Sequence, residues 1–147
     1  MKIPIPDTDL AMPYELDIVF SRDKAVDEDK IELIYPHEIV GSIKTTSKER
    51  IDKVFLDKYL LNKFLDRPVP VVAIFLHDVQ RAIHGDSIFG INSTFKSNHF
   101  LCYSTALNRL NGVYYIDPLP EMLTDRFNKY ISGFKEFLIH DLWAFLS

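Results

Sequence analysis

The stretch that decides the fold is EIVGSIKTTSKERIDKVFLDKYLLNKFL, which occupies residues 38–65. Residues 38–44 predict a β-strand. The polar residues Thr45, Thr46 and Ser47 are typical of a helix N-cap, and a helix is predicted over residues 48–65. Its largely apolar stripe recurs at helical spacing. The stripe consists of Ile51, Val54, Phe55, Lys58, Leu61, Asn62 and Leu65.

Further strands are predicted on both sides of this strand–helix pair. Residues 14–20 and 31–35 precede it, and both are rich in residues that favour strands. Residues 69–76 form a continuous apolar run of strand length, which is typical of a strand buried on both faces. Residues 112–116 predict one more strand, which Asp117 and Pro118 close.

The remaining segments complete an α/β pattern. Helices are predicted over residues 121–130 and 134–146, with Ser132 and Gly133 between them. Residues 101–107 fit either a helix or a strand. Two segments carry no regular pattern: an extended arm over residues 1–13 and a polar connection over residues 77–99. The element order predicts one domain, residues 1–147, with a mixed β-sheet flanked by helices.

Composition excludes several classes of protein. The chain has 147 residues, of which 47% are hydrophobic, so a packed core is expected without disulfides. Its single cysteine, Cys102, permits no intramolecular disulfide and no Cys/His zinc site of the usual spacing. No signal peptide or membrane span is recognised, which predicts a cytoplasmic protein. The net charge of −4 argues against a general nucleic-acid coat protein, but it is compatible with a small basic cleft.

The candidate catalytic residues are Asp17 and Lys44. Asp17 lies in a predicted apolar strand, and a carboxylate in that setting requires a partner, such as a metal ion. Ser42 and Lys44 have the same parity in their predicted strand, so both face one side of the sheet. Carboxylates can hold Mg²⁺, and a nearby lysine can stabilise developing negative charge or orient a water molecule. Together these groups suit phosphodiester cleavage.

These residues resemble the motif of the PD-(D/E)XK nuclease superfamily. Leu16-Asp17 matches its first element, and Ser42-Ile43-Lys44 matches its acid-x-Lys element with serine in place of the acid. The branch of type II restriction enzymes that cuts CCGG-type cores shows the same replacement, in the pattern Ser-x-Lys-x12-Glu. Twelve residues separate Lys44 from Asp57, which occupies the position of that glutamate.

The resemblance implies a restriction-endonuclease-like fold and a type II site-specific deoxyribonuclease. Asp17 and Asp57 would bind Mg²⁺, Lys44 would assist the attacking water, and a homodimer would cleave double-stranded DNA. The branch also carries an Arg-(Asp/Glu)-Arg pattern that recognises bases. The matching positions here are Lys48, Glu49 and Arg50, with lysine replacing the first arginine.

Several alternatives remain open from the residues alone. Asp17 fits an ordinary strand-edge aspartate, and the charged helix face fits a solvated surface. Gln80 and Arg81 are candidate DNA contacts, as are neighbouring polar residues, but an ordinary polar loop is slightly favoured. Glu15 and Glu38 are candidate auxiliary ligands, although structural roles are favoured for both. The polar residues that share the loop alternative are His77, Asp78, Lys96, Asn98 and His99.

Two further hypotheses concern function as a whole. The first is a catalytically inactive or fragmentary nuclease-fold module that binds DNA or another protein. The second is a nuclease of another class, such as a repair or junction enzyme. A cysteine hydrolase built on Cys102 with His99 or His140 is not favoured, because nothing in the sequence orients a base or an oxyanion hole there.

Overall fold

The structure is a computed structural model of the chain. The structure describes residues 2–5, 7–22, 34–47, 50–77, 99–118, 120–123, 125 and 128–147. In those parts of the chain no helix is long and apolar enough to cross a membrane.

Residues 2–5 and 7–13 form a hairpin rather than the predicted extended arm. Strands β1 (Lys2–Pro4) and β2 (Ala11–Pro13) pair antiparallel, with Ile3 opposite Met12. They make a two-stranded sheet that is separate from the main sheet. The intervening turn is closed by the Thr8 hydroxyl, which donates to the carbonyl of Ile5 at 3.0 Å.

The main sheet of the described chain has five strands in the spatial order β3-β4-β5-β6-β7. β3 pairs antiparallel with β4, and each later pair is parallel. The predicted mixed α/β architecture is therefore confirmed. The strands are β3 (Ile18–Phe20), β4 (Ile39–Thr46), β5 (Val71–His77), β6 (Gly112–Tyr115) and β7 (Ser132–Gly133).

Helix α1 (Ile51–Phe64) connects the parallel strands β4 and β5. Its buried residues all belong to the predicted stripe, and the apolar ones pack on β5 and β6. The remaining stripe residues, Asn62 and Leu65, are half-buried. The N-terminal position is Arg50, without a side-chain cap, so the predicted polar cap is wrong. Instead, the carbonyl of Ser47 accepts the backbone N–H of Ile51 at 3.1 Å. The Tyr115 hydroxyl donates to the Ser47 hydroxyl at 2.7 Å, which ties the start of the helix to the sheet.

The other helices of the described residues belong to the C-terminal half of the sequence. The undecided segment around residues 101–107 is helical: α2 (His99–Tyr103) continues as a π-helical turn, Ser104–Asn108. The predicted helix over residues 134–146 is confirmed, and it contains a π-helical turn. Its parts are α3 (Phe134–Glu136), the π-helical turn Phe137–Asp141 and α4 (Leu142–Leu146).

Two further predictions require correction, and a third lies mostly outside the described residues. The strand predicted over residues 14–20 shortens to β3, and Asp17 lies at a bend directly before it. The helix predicted over residues 121–130 is wrong, because its described part contains a 3-10 turn, Pro120–Leu123, and a turn at residues 128–130. The strand predicted over residues 31–35 falls mostly outside the described residues, and residues 34–35 are not strand.

The sheet is covered on both faces, and side-chain parity sorts the two cores. The odd residues of β5, such as Ala73 and Phe75, pack with α1. The even residues Val72 and Ile74 pack with Phe137 on the opposite face. This two-sided burial explains the continuous apolar run that predicted the strand. In β4, Val40 belongs to the α1 face, so Ser42 and Lys44, which share its parity, point towards α1 as well.

Candidate active site

Asp17 is held where β3 meets β4. The pairing of Ile18 with Gly41 places Asp17, one residue earlier, beside Ser42. Gly41 permits this approach, because a Cβ there would lie 2.6 Å from Cγ2 of Ile18. Because Gly41 has no side chain, β3 can lie close to β4, and Asp17 then lies beside the more exposed half of β4.

Three donors from consecutive residues of β4 converge on one oxygen of Asp17. The backbone N–H of Ile43 donates to Oδ2 at 2.8 Å, and the Ser42 hydroxyl donates to it at 3.3 Å. The Lys44 ammonium forms an ion pair with the same oxygen. The other oxygen, Oδ1, takes part in none of these three contacts. The arrangement fixes the carboxylate and leaves one oxygen outside its anchoring bonds.

These contacts also set the charge state of Asp17. Partial burial raises the pKa of this carboxyl, but the hydrogen bond from Lys44, the N–H of Ile43 and the positive charge of Lys44 together outweigh it. The net effect lowers the pKa of Asp17 below its ordinary value. Asp17 is therefore ionised at neutral pH, which is the form of a carboxyl group that suits a hard metal ion.

Asp57 approaches the same place from α1. The side chain lies one turn after Lys53 and one turn before the buried Leu61, at the edge of the stripe that packs on the sheet. Tyr14 lines the same cavity as Asp57. Burial raises the pKa of Tyr14 above its ordinary range, and the nearby carboxylates of Asp57 and Asp17 add to this effect. Tyr14 therefore keeps its phenolic proton, and its hydroxyl can donate to an acceptor in the cavity.

One cavity of about 250 Å³ collects these groups. Asp17, Ser42, Lys44 and Asp57 all contribute to its wall, so the structure brings together the three predicted catalytic residues. Their catalytic roles stay a prediction, because this placement does not test chemistry. The polar and charged side chains of the wall are Tyr14, Glu15, Asp17, Ser42, Lys44, Lys53 and Asp57.

The chemistry of the donor set fits Mg²⁺. This ion keeps several waters and is commonly bound by one or two carboxylates, with substrate phosphates completing its shell. Asp17 and Asp57 supply two carboxylates on one cavity, and Oδ1 of Asp17 is outside the anchoring bonds. In the described residues no three His, Cys, Asp or Glu side chains form a group that could hold a metal. The two carboxylates therefore suit an ion whose other coordination positions are filled by water and substrate.

The two auxiliary acids differ in position. Glu15 lines the cavity, although it does not complete a three-residue metal group with the two aspartates. Glu38 is buried, and its Oε2 accepts the backbone N–H of Tyr35 at 2.7 Å. Glu38 is not part of the cavity wall, and this hydrogen bond ties it to the turn that begins at Tyr35.

The predicted DNA-contacting residues are only partly described. Arg50 is exposed directly before α1 and does not contribute to the cavity wall. Lys48 and Glu49 lie outside the described residues, as do Gln80 and Arg81. Their DNA-binding roles stay predictions.

Sequence reasoning missed Tyr14 and Lys53 as parts of this site. Tyr14 belongs to a segment without regular structure, so parity could not orient it. Lys53 had a usable signal, because it lies four residues before Asp57 in a predicted helix and therefore on the same face. It places a second positive charge on the cavity wall.

Comparisons with known proteins support the fold. No protein-family model matches the chain. No curated protein matches it either. The structure is similar to the type IIP restriction endonuclease Kpn2I, with a TM-score of 0.58 and 18% sequence identity over 74% of this chain. The matched region spans 36% of the length of that enzyme. The chain therefore has a restriction-endonuclease-like α/β fold, with a mixed five-stranded sheet flanked by helices.

Proposed function

We propose that this chain cleaves double-stranded DNA by Mg²⁺-assisted hydrolysis at specific sequences, as a type II site-specific deoxyribonuclease. The observation that carries the proposal is the cavity that Asp17, Lys44 and Asp57 line together. A lysine and two carboxylates in one solvent-accessible cavity suit phosphodiester hydrolysis. The likeness of the fold to a restriction endonuclease supports the same assignment.

Each residue of the set has a distinct proposed role. Asp17 and Asp57 hold Mg²⁺ through carboxylate oxygens. When bound, the metal polarises the phosphate and lowers the pKa of a water molecule. Lys44 lies against Asp17, where its ammonium orients the attacking water or stabilises negative charge that develops on the phosphate. Ser42 serves as a support of Asp17 and not as a ligand, because its hydroxyl donates to the carboxylate.

Sequence recognition is assigned to the start of α1 and to the residues after β5. Arg50 is exposed there, and an arginine can donate two hydrogen bonds to a guanine edge. Lys48 and Glu49 precede it in the chain, and Gln80 and Arg81 are further proposed DNA contacts. A homodimer would place two such centres on a two-fold symmetric DNA site.

The direct experiment is incubation of the protein with supercoiled plasmid DNA and Mg²⁺, followed by mapping of the cut ends. The expected result is a set of discrete fragments with 5′-phosphate and 3′-hydroxyl ends at one recurring sequence. Fragments with random ends would indicate a nuclease without sequence specificity. Binding without cleavage would favour the inactive nuclease-fold module instead.

A further inference from the structure

We propose that Tyr14 is a positioning residue for the metal ligand Asp57. This inference rests on the proposed function and deepens it, because it names a residue that orients the relocated acid. Neither the acid-x-Lys pattern nor the spacing to Asp57 includes this tyrosine. Its role follows from the packing of the segment before β3 against α1.

The position of Tyr14 explains how it can orient a carboxylate. Its ring is partly buried and packs on the core that α1 shares with the sheet, so the side chain is fixed at its base. Tyr14 and Asp57 line one cavity, and the charge of Asp57 helps to raise the pKa of the Tyr14 phenol, so a protonated hydroxyl faces this carboxylate in the proposed arrangement. The phenol group is thus an anchored donor, whereas Asp57 extends from a helix surface into the cavity.

The same short segment therefore serves both carboxylates. Asp17, three residues after Tyr14, supplies one carboxylate directly, and Tyr14 holds the other. A carboxylate that ligates a metal is commonly hydrogen-bonded by a group outside the ligand shell, and loss of that group costs about 10–100-fold in metal affinity. By fixing one side of the Asp57 carboxylate, the tyrosine lowers the side-chain conformational entropy that is lost when the metal binds.

The test measures metal binding without catalysis. Mn²⁺, which accepts the same oxygen ligands, is titrated into the full chain, and its free fraction is counted by electron paramagnetic resonance. Tyr14→Phe keeps the ring and removes the donor, so we expect its affinity to fall by about tenfold. Tyr130→Phe is the matched control, because Tyr130 also packs partly buried on this core but is not part of the cavity wall. Its affinity should equal that of the wild type.

A double-mutant cycle separates positioning from a general structural effect. Because Tyr14 acts through Asp57, Tyr14→Phe should have no further effect on Mn²⁺ affinity in an Asp57→Asn background. Additive losses would overturn the inference, as would a Tyr14→Phe variant that binds Mn²⁺ like the wild type. Thermal unfolding followed by circular dichroism checks that each variant is folded. If the wild type itself binds no Mn²⁺, the proposed function fails, which is a different result from an inert Tyr14→Phe change.

Discussion

Lys58 is a buried lysine whose contacts predict an unusual dependence of stability on pH. It lies in the apolar stripe of α1 with 7% of its surface exposed. Its ammonium donates to the carbonyl of Arg109 at 2.5 Å and to Oδ1 of Asn111 at 2.6 Å. Asn111 Oδ1 also accepts the backbone N–H of Val71 at 3.0 Å. The lysine thus joins the helix to the beginnings of two strands through neutral oxygens.

The sign of the effect follows from the lowered pKa. Burial lowers the pKa of Lys58 from 10.5 to about 8. Between these two values the unfolded chain binds more protons than the folded chain, so the free energy of unfolding rises with pH. From about pH 7.5 to about pH 9.5 the rise is at most about 1.8 kcal/mol. Because the two hydrogen bonds and residual solvent screening favour the charged form, we expect about 1 kcal/mol.

The assay is urea unfolding followed by circular dichroism across this pH range. Lys58→Met removes the titrating group while keeping a long side chain, so its free energy of unfolding should lack the rise. Lys63→Met, which changes an exposed lysine in the last turn of the same helix, should retain it. The range ends below pH 10, since the raised pKa values of Tyr14 and Tyr114 make stability fall as pH rises above 10. A wild type whose stability is flat, or a Lys58→Met variant that still shows the rise, would refute the reasoning.

Four further substitutions test the cavity and the start of α1. Ser42→Ala should keep most of any cleavage rate, because it removes only the 3.3 Å hydrogen bond to Asp17. Quenched-flow kinetics would measure the rate, and complete loss of cleavage would indicate a different catalytic centre. Lys44→Ala should reduce cleavage strongly but leave DNA binding nearly unchanged in a gel-shift assay with Ca²⁺; equal loss of binding would contradict the assignment. Arg50→Ala should weaken specific DNA binding by about 1–3 kcal/mol, and Glu49→Ala should relax specificity at one base. Competition binding against unrelated DNA measures both effects, and a variant with the same preference for its specific site as the wild type would contradict its prediction.

The part of the site that the sequence predicts is the part governed by local periodicity. The parity of β4 places Ser42 and Lys44 on one face, and the helical stripe of α1 faces the same side of the sheet. The position of Asp57 is predicted instead from the resemblance to the Ser-x-Lys-x12-Glu pattern, which places the acid twelve residues after Lys44. The likeness to a restriction endonuclease supports the fold class on which that argument depended.

The remainder of the site and fold depended on contacts that no local pattern encodes. Tyr14 reaches Asp57 across 43 positions of sequence, and the segment that carries it lacks the strand geometry assumed for it. β7 contains two residues, Ser132 and Gly133, which is too short for an alternating pattern. The helix predicted over residues 121–130 is wrong, because the chain forms a 3-10 turn over Pro120–Leu123. In each case a tertiary contact or chain geometry outweighed intrinsic propensity.

The most direct test of the central claim is the single-turnover cleavage rate of Asp57→Asn on a DNA duplex that the wild type cuts with Mg²⁺. Asp52→Asn is the matched control, because Asp52 is exposed in the first turn of the same helix and is not part of the cavity wall. If Asp57 holds the catalytic metal, its variant should cleave at least about 1,000-fold more slowly, a loss of about 4 kcal/mol of transition-state stabilisation. Asp52→Asn should cleave at the wild-type rate. An Asp57→Asn variant that cleaves as fast as the wild type, or a wild type that cuts no DNA, would contradict the account.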